Sequence, residues 1–260
     1  MQTEKCQGCS KENISRVPII RVVQKLDEHF ARNDLAGAVA LLEYWNSEAV
    51  NIGDTRGRLE ILNEQIGIYR RTYERDKALA AVSDALQIIE NEGLEGALSV
   101  GTIYINIATT LKAFGKVTEA MPCYEKAEAI YNNYNEVPVF QKAALNNNKA
   151  SALTELGRFK DAEQCYLNAI EMLKGDSAYF GEIAVSYVNL AHLYEDMACL
   201  DTKIYAVMDK AWSYLTHPDI KSDGNYAFVC TKCAPSFEYF GFSEREQILS
   251  KEAERIYEGS

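Results

Sequence analysis

Two Cys-x-x-C pairs, Cys6/Cys9 and Cys230/Cys233, hold the residues whose types and spacing come nearest to chemistry. Four thiolates in two such pairs make a closed tetrahedral zinc site. Cys230 and Cys233, however, stand at i, i+3 in a helical run, where packing as small hydrophobes accounts for them. The remaining cysteines bring the total to seven, an odd number scattered through a mid-sized chain. That usage reads as reduced thiols in a reducing compartment. The three histidines, His29, His192 and His217, belong to no metal or nucleophile motif, and no phosphate loop or G-x-S-x-G occurs. His192 and Glu195 share a helix face and could begin a metal site, but a charged helix surface is the better explanation. No catalysis, cofactor or metal is expected. Asn106, Asn148 and Asn189 are different: each stands two residues before an alanine, with Asn63 and Asn147 nearby. Helix interiors disfavour asparagine, so three at nearly constant spacing need a reason.

Charge narrows the partners. With 38 acidic against 27 basic residues the net charge is −11, so the average field repels phosphate backbones and anionic headgroups. Nucleic acid and membrane are not expected as partners. No apolar run reaches the ~18 residues of a membrane span, and "MQTEKCQGCSKEN" has no signal-peptide core. A cytoplasmic location follows. With 47% hydrophobic residues the chain should fold.

The elements that would position the asparagines come from an internal repeat. "NIATTLKAFGKVTEAMPCYEKA" returns as "NKASALTELGRFKDAEQCYLNA" at an offset of 42 residues. The offset pairs Ala108 with Ala150, Leu111 with Leu153, Gly115 with Gly157, Ala120 with Ala162, Cys123 with Cys165, Tyr124 with Tyr166 and Ala127 with Ala169. The same frame reaches back to Tyr69, Ala78 and Ala85 and on to Ala211. It continues to Ala234, Phe237, Gly241 and Ala253, and Asn33 and Ala38 begin a looser first copy. About six units result. Each reads as two helices: Ile103, Ile107, Leu111 and Phe114 recur at helical spacing, Gly115 ends the run, and Ala120, Tyr124 and Ala127 form one face of a second helix. The alanines are spacers that let neighbouring helices approach, and Cys123 and Cys165 share a core position. Gly93 and Gly175 end helices, Pro138 opens one, and Ser243 with Glu246 reads as a capping box. Asn33, Tyr73 and Cys199 stand in for the turn glycine, and Glu246 for an alanine.

This pattern resembles the tetratricopeptide repeat (TPR). The small residue late in one helix, the turn glycine and the alanines of the next are carried by Ala108, Gly115, Ala120, Tyr124 and Ala127, and again by Ala150, Gly157, Ala162, Tyr166 and Ala169. The 42-residue period and "NLAHLY" resemble the variant of kinesin light chains and bacterial peptide-sensing regulators. The resemblance implies a right-handed α-solenoid of about six antiparallel helix pairs over residues 17–258, after a polar tail at 1–16. In such a stack the two Cys-x-x-C pairs lie at opposite ends, which argues against shared zinc. It also implies that Asn106, Asn148 and Asn189, with Asn63, point into a concave groove and grip the main chain of a bound peptide, since an amide donates and accepts at once. The alternative is that each bonds to the neighbouring repeat and locks the stack.

Three asparagines making two bonds each supply ~6 kcal/mol at about 1 kcal/mol net per bond. Micromolar binding needs about 8.2 kcal/mol, so other groove side chains must contribute. The first helices would also present Arg70, Arg71, Thr109, Lys112, Ser151, Glu155, His192, Glu195 and Asp196 to the groove, with Arg70, Arg71 and Lys112 making its N-terminal part basic and Glu155, Glu195 and Asp196 its C-terminal part acidic. The lysines of chaperone-binding TPR clamps are replaced by Thr102, Ala144 and Val185, which disfavours chaperone tails. The expected function is a non-catalytic scaffold holding an extended peptide or partner segment, with a terminal repeat as the surface for a homo-oligomer. The alternative is a cytoplasmic peptide-signal receptor acting through a separate output protein, because about 16 residues before the first repeat are too few for a helix-turn-helix.

Overall fold

The computed structural model describes residues 16–258, all of whose regular structure is helical. The chain divides into two compact units, Met1–Lys116 and Val117–Ser260. The first holds α1 (Ile19–Ala31), α2 (Leu35–Ile52), α3 (Thr55–Arg71), α4 (Arg75–Asn91) and α5 (Leu98–Ala113). The second holds α6 (Val117–Asn133), α7 (Val139–Glu155), α8 (Phe159–Leu173), α9 (Phe180–Asp196), α10 (Asp201–Leu215), α11 (Gly224–Tyr239) and α12 (Ser243–Glu258), with a 3-10 turn at Ser177–Tyr179 before α9. Within each unit most helices pack on a chain neighbour, and the first helices of successive pairs also touch: α3 on α5, α7 on α9, α9 on α11. This is the all-α, solenoid-type stacking of helix pairs expected from the repeat. Cys6 and Cys9 lie outside the described residues.

Aspartate caps the starts of α2, α3 and α11. Asp34 and Asp54 accept from the backbone N–H of Gly37 and Gly57 at 2.9 and 3.0 Å, and Asp223 accepts from Tyr226 at 3.1 Å. Asp54 also accepts from Val17 N–H at 2.7 Å, which ties the chain entering α1 to the start of α3. A Cβ on Gly37 or Gly57 would strike the capping carboxylate, so glycine at that position is part of the cap. The expected Ser243–Glu246 capping box takes another form. Phe242 is the residue before α12, its carbonyl accepts from Glu246 N–H, and the Glu246 carboxylate accepts from Ser250 Oγ at 2.6 Å. Pro122 and Pro235 lie inside α6 and α11. Both are exposed, so water can satisfy the carbonyls their missing N–H groups leave free.

All six turns within the helix pairs use one left-handed residue: Asn33, Tyr73, Gly115, Gly157, Ala198 and Gly241, with φ between 50° and 82°. The fifth corrects the sequence reading, which placed Cys199 there. The inserted residue follows the left-handed position instead of preceding it, so Ala198 takes the turn. Behind the turns, Ala38, Ala78, Ala120 and Ala162 are fully buried, as are Ala85, Ala127, Ala169 and Ala211. Cys123 is buried and Cys165 half-buried, and burial raises both thiol pKa values. Cys230 and Cys233 are buried in α11, where burial pushes their thiols to about 11 and about 12.

Two tyrosines make the same three-helix tie in different units. Tyr69 of α3 donates its hydroxyl to Glu43 of α2 at 3.2 Å, and Lys77 of α4 bonds Glu43 at 2.9 Å while lying over the Tyr69 ring. Tyr194 of α9 donates to Glu163 of α8 at 2.7 Å, and Lys203 of α10 reaches Glu163 at 3.2 Å with its ammonium 3.7 Å from the ring centroid. Burial first, and the Glu43 charge second, push the Tyr69 hydroxyl to about 12. It therefore remains a donor at neutral pH.

Two substitutions test this frame. Ala198→Gly should raise stability by about 0.5–1 kcal/mol, because a left-handed L-residue costs roughly 1–2 kcal/mol and glycine returns part of that as chain entropy. Ala162→Leu should lower stability by about 1–3 kcal/mol, since three extra carbons must enter a fully buried helix contact. Urea midpoints measure both, and a midpoint unchanged by Ala162→Leu contradicts the packing assignment.

Candidate functional site

In the second unit the first helices α7, α9 and α11 wall a cavity of about 590 Å³. Asn147, Asn148 and Ser151 come from α7, Glu182, Val185 and Asn189 from α9, and Asn225, Phe228 and Lys232 from α11. Their spacing follows from the helix period, which brings residues three and four apart onto one face. Phe140 and Tyr179 complete an aromatic side, their rings stacked with centroids 6.3 Å apart. Gly181 sets how closely α9 and α11 approach at this end: an added Cβ would lie 3.0 Å from Val229 Cγ2. A shallower recess of about 350 Å³ shares Ser151 and Asn189 with the cavity and adds Thr154, Glu155, Tyr166, His192 and Asp196. Burial raises the Tyr166 hydroxyl to about 12, so it is a neutral phenol there.

The asparagines of the sequence pattern do different work in the two units. In the first unit Asn106 Nδ2 donates to Asn63 Oδ1 at 2.8 Å, joining α5 to α3. Arg70 reinforces the same joint, its guanidinium donating to Thr110 Oγ1 at 3.1 Å. Thr109 turns its hydroxyl back to the Ile105 carbonyl at 2.8 Å, and Lys112 is half-buried on the same helix. Arg71 lies over the Phe30 ring at 5.5 Å. Arg70 and Arg71 of the expected basic stretch thus each make a contact within the first unit. Glu64 has a carboxyl raised by burial despite its bond from Asn63, with Glu60 and Asp27 adding to the shift.

In the second unit Asn148 and Asn189 line the cavity, and among the described residues no side-chain hydrogen bond engages their amides. Asn147, one residue away, makes the inter-helix bond instead, donating to Ser186 Oγ of α9 at 2.9 Å. Ser151 and Glu155 face the recess. His192 is tied to α11 through Ser236 Oγ at 2.9 Å and packs against Phe240 at 4.8 Å. Glu195 accepts from Tyr239 at 2.7 Å. Phe140, Tyr179, Asn225 and Phe228 were not among the sequence candidates. They sit near the starts of their helices or in the turn before, and only Phe140 and Phe228 carried a signal, as large apolar residues outside the repeat's core positions. No group of three or more His, Cys, Asp or Glu side chains converges among the described residues, and none of their helices is long and apolar enough to cross a membrane.

Comparison with known proteins agrees with this architecture. The tetratricopeptide repeat model matches residues 101–134 and 143–172. None of the curated proteins matches the chain. Among solved structures, BtubC (BKLC) from P. vanneervenii is similar with a TM-score of 0.56 at 18% identity, over 86% of this chain and 91% of that one. The nearly identical TPR-like repeats of a Podosopora anserina kinesin light chain give 0.56 at 15% identity, over 77% and 95%. PilW, a type IV pilus biogenesis factor, gives 0.53 at 17% identity, over 93% and 94%. At these identities the likeness is one of fold. The match identifies tetratricopeptide repeats at residues 101–134 and 143–172, and buried alanines and left-handed turns recur in the other helix pairs.

Proposed function

We propose that this chain is a non-catalytic binding scaffold of a reducing, cytoplasmic compartment, and that the α7–α9–α11 cavity holds an extended peptide or a segment of a partner protein. The observation that carries the reading is the contrast within one repeated position. Asn106 is spent on Asn63, whereas Asn148 and Asn189 keep their donors and acceptors facing a cavity of about 590 Å³. An amide in that position can pair with both groups of a peptide unit without reading its side chain. Exposed apolar surface beside it, from Phe228 at 59% and Phe140 at 45%, supplies the area that the hydrogen bonds alone lack. The five cysteines of the described residues are free thiols, in keeping with a reducing compartment.

Peptides selected on the protein from an unbiased display library provide the probe. Asn148→Ala with Asn189→Ala should weaken the selected peptides by ~2–4 kcal/mol, roughly 30- to 1000-fold, with the urea midpoint nearly unchanged. Asn106→Ala should do the reverse, costing about 1 kcal/mol of stability by stranding Asn63 while leaving those peptides bound. Undiminished affinity in the double variant overturns the groove.

A further inference from the structure

A second recess of the second unit shares no residue with the α7–α9–α11 cavity. It lies between α11 and α12, holds about 460 Å³, and is lined by these two helices alone. Ala234 and Ala253 form its floor, Glu238, Glu246 and Glu254 are its only charged residues, and Tyr257, 54% exposed, stands at the end away from the turn. On α12, Glu246, Ala253, Glu254 and Tyr257 recur at the spacing of one helix face. Glu238 and Glu254 are exposed and Glu246 is half-buried, so all three can be reached from solvent.

The repeat frame gives the counterpart of this groove in an earlier pair. Two repeats back, Glu246, Ser250, Glu254 and Tyr257 correspond to Ala162, Tyr166, Ile170 and Leu173 of α8. Those four are buried, and α9 packs on both α7 and α8 there. A helix is therefore the shape that fills a groove of this frame. Between α11 and α12 the floor is still methyl-sized, which permits the same close approach, but carboxylates stand in place of alanine and isoleucine. An end face made only for water would gain from charges of both signs. Here the cations of α12 are elsewhere: Arg245 donates to Asp209 of α10 at 2.8 Å, Arg255 donates to Glu252 at 2.9 Å, and Lys251 is outside the lining. Pro235 adds an acceptor, because it has no N–H for the Thr231 carbonyl of the same lining. Carboxylates and a carbonyl around an apolar floor are complementary to an apolar stripe flanked by positive donors.

We infer that the α11–α12 groove docks a basic amphipathic helix of a partner protein, with a small apolar stripe on Ala234 and Ala253 and lysines or arginines along Glu238, Glu246 and Glu254. This surface is independent of the peptide reading above. NMR titration of the full chain tests it with a blocked helical peptide that has alanine and leucine on one face and lysine along both edges of that face. The controls are a peptide of the same composition in scrambled order and one with glutamate for lysine. The basic peptide should shift the signals of Ala234, Ala253 and Tyr257 and bind at least about tenfold tighter than the scrambled one, an advantage that shrinks as salt is raised. Glu238→Gln with Glu254→Gln, both at exposed positions, should remove that advantage and leave the urea midpoint nearly unchanged. The comparison of peptides on the unaltered protein stands whether or not that variant folds. Equal binding by either control, shifts confined to other signals, or no shift by any peptide at millimolar concentration overturns the docking. Groove signals that move with protein concentration alone assign the face to a second copy and overturn the partner helix.

Discussion

The structure depends on the methyl-sized contact between helices. Wherever the repeat places alanine behind a turn, the side chain is fully buried, and nothing larger than a methyl separates it from its neighbour. A helix pair built this way cannot bury its apolar faces alone and must find the next pair. Within each unit the left-handed residue at a turn reverses the chain within a few residues, so the second helix returns along the first with its alanines facing inward. Turn and spacer are therefore one device. An error in either moves the facing residues of the first helices, on which the cavity is built.

Polar ties between successive pairs are laid over this packing, and each tie removes side chains from the surface that could recognise a ligand. Asn63 and Asn106 satisfy one another, Arg70 is bound by Thr110, and His192 and Glu195 are held by Ser236 and Tyr239. Each of these residues has chemistry suited to a groove, and each uses it internally. In the second unit the inter-helix bond is made one residue away, by Asn147 to Ser186. That shift by a single position frees the amide of Asn148 for the cavity. Stability and recognition draw on the same residue type, and the register of one helix decides which receives it.

The spacers and glycine turns were legible in the sequence because they depend on residue size and backbone freedom, which residue type alone states. The turns at Tyr73 and Ala198 were harder, since neither residue favours positive φ. Tyr73 was found by counting from the repeat, while counting failed at Ala198, where an insertion beside the turn can fall on either side of the left-handed position. The Asp-x-x-Gly starts at Asp34 and Asp54 were legible in principle, as a capping carboxylate followed by a residue small enough to admit it, but a repeat search passes over them because only the early pairs carry them. What the sequence could not divide was the roles of the asparagines. Asn106 and Asn148 are the same residue at the same repeat position, and their difference lies in partners contributed by another repeat.

The tyrosine ties show how a repeat tolerates a polar atom in its core. Tyr69 and Tyr194 occupy the position held by Leu111 and Leu153, and their rings are as buried as the leucines they replace. The added hydroxyl would be costly there without a partner. In both places a glutamate of the preceding helix accepts it, and a lysine of the following helix neutralises the glutamate while covering the ring. One polar atom thus brings two further side chains into register and joins three helices where leucine joins them by packing alone. Asn147 and Glu182 have the opposite arrangement, each with one buried acceptor. The same chain thus closes its buried hydroxyls at two repeats with side chains of neighbouring helices, and leaves these two buried acceptors without such donors among the described residues.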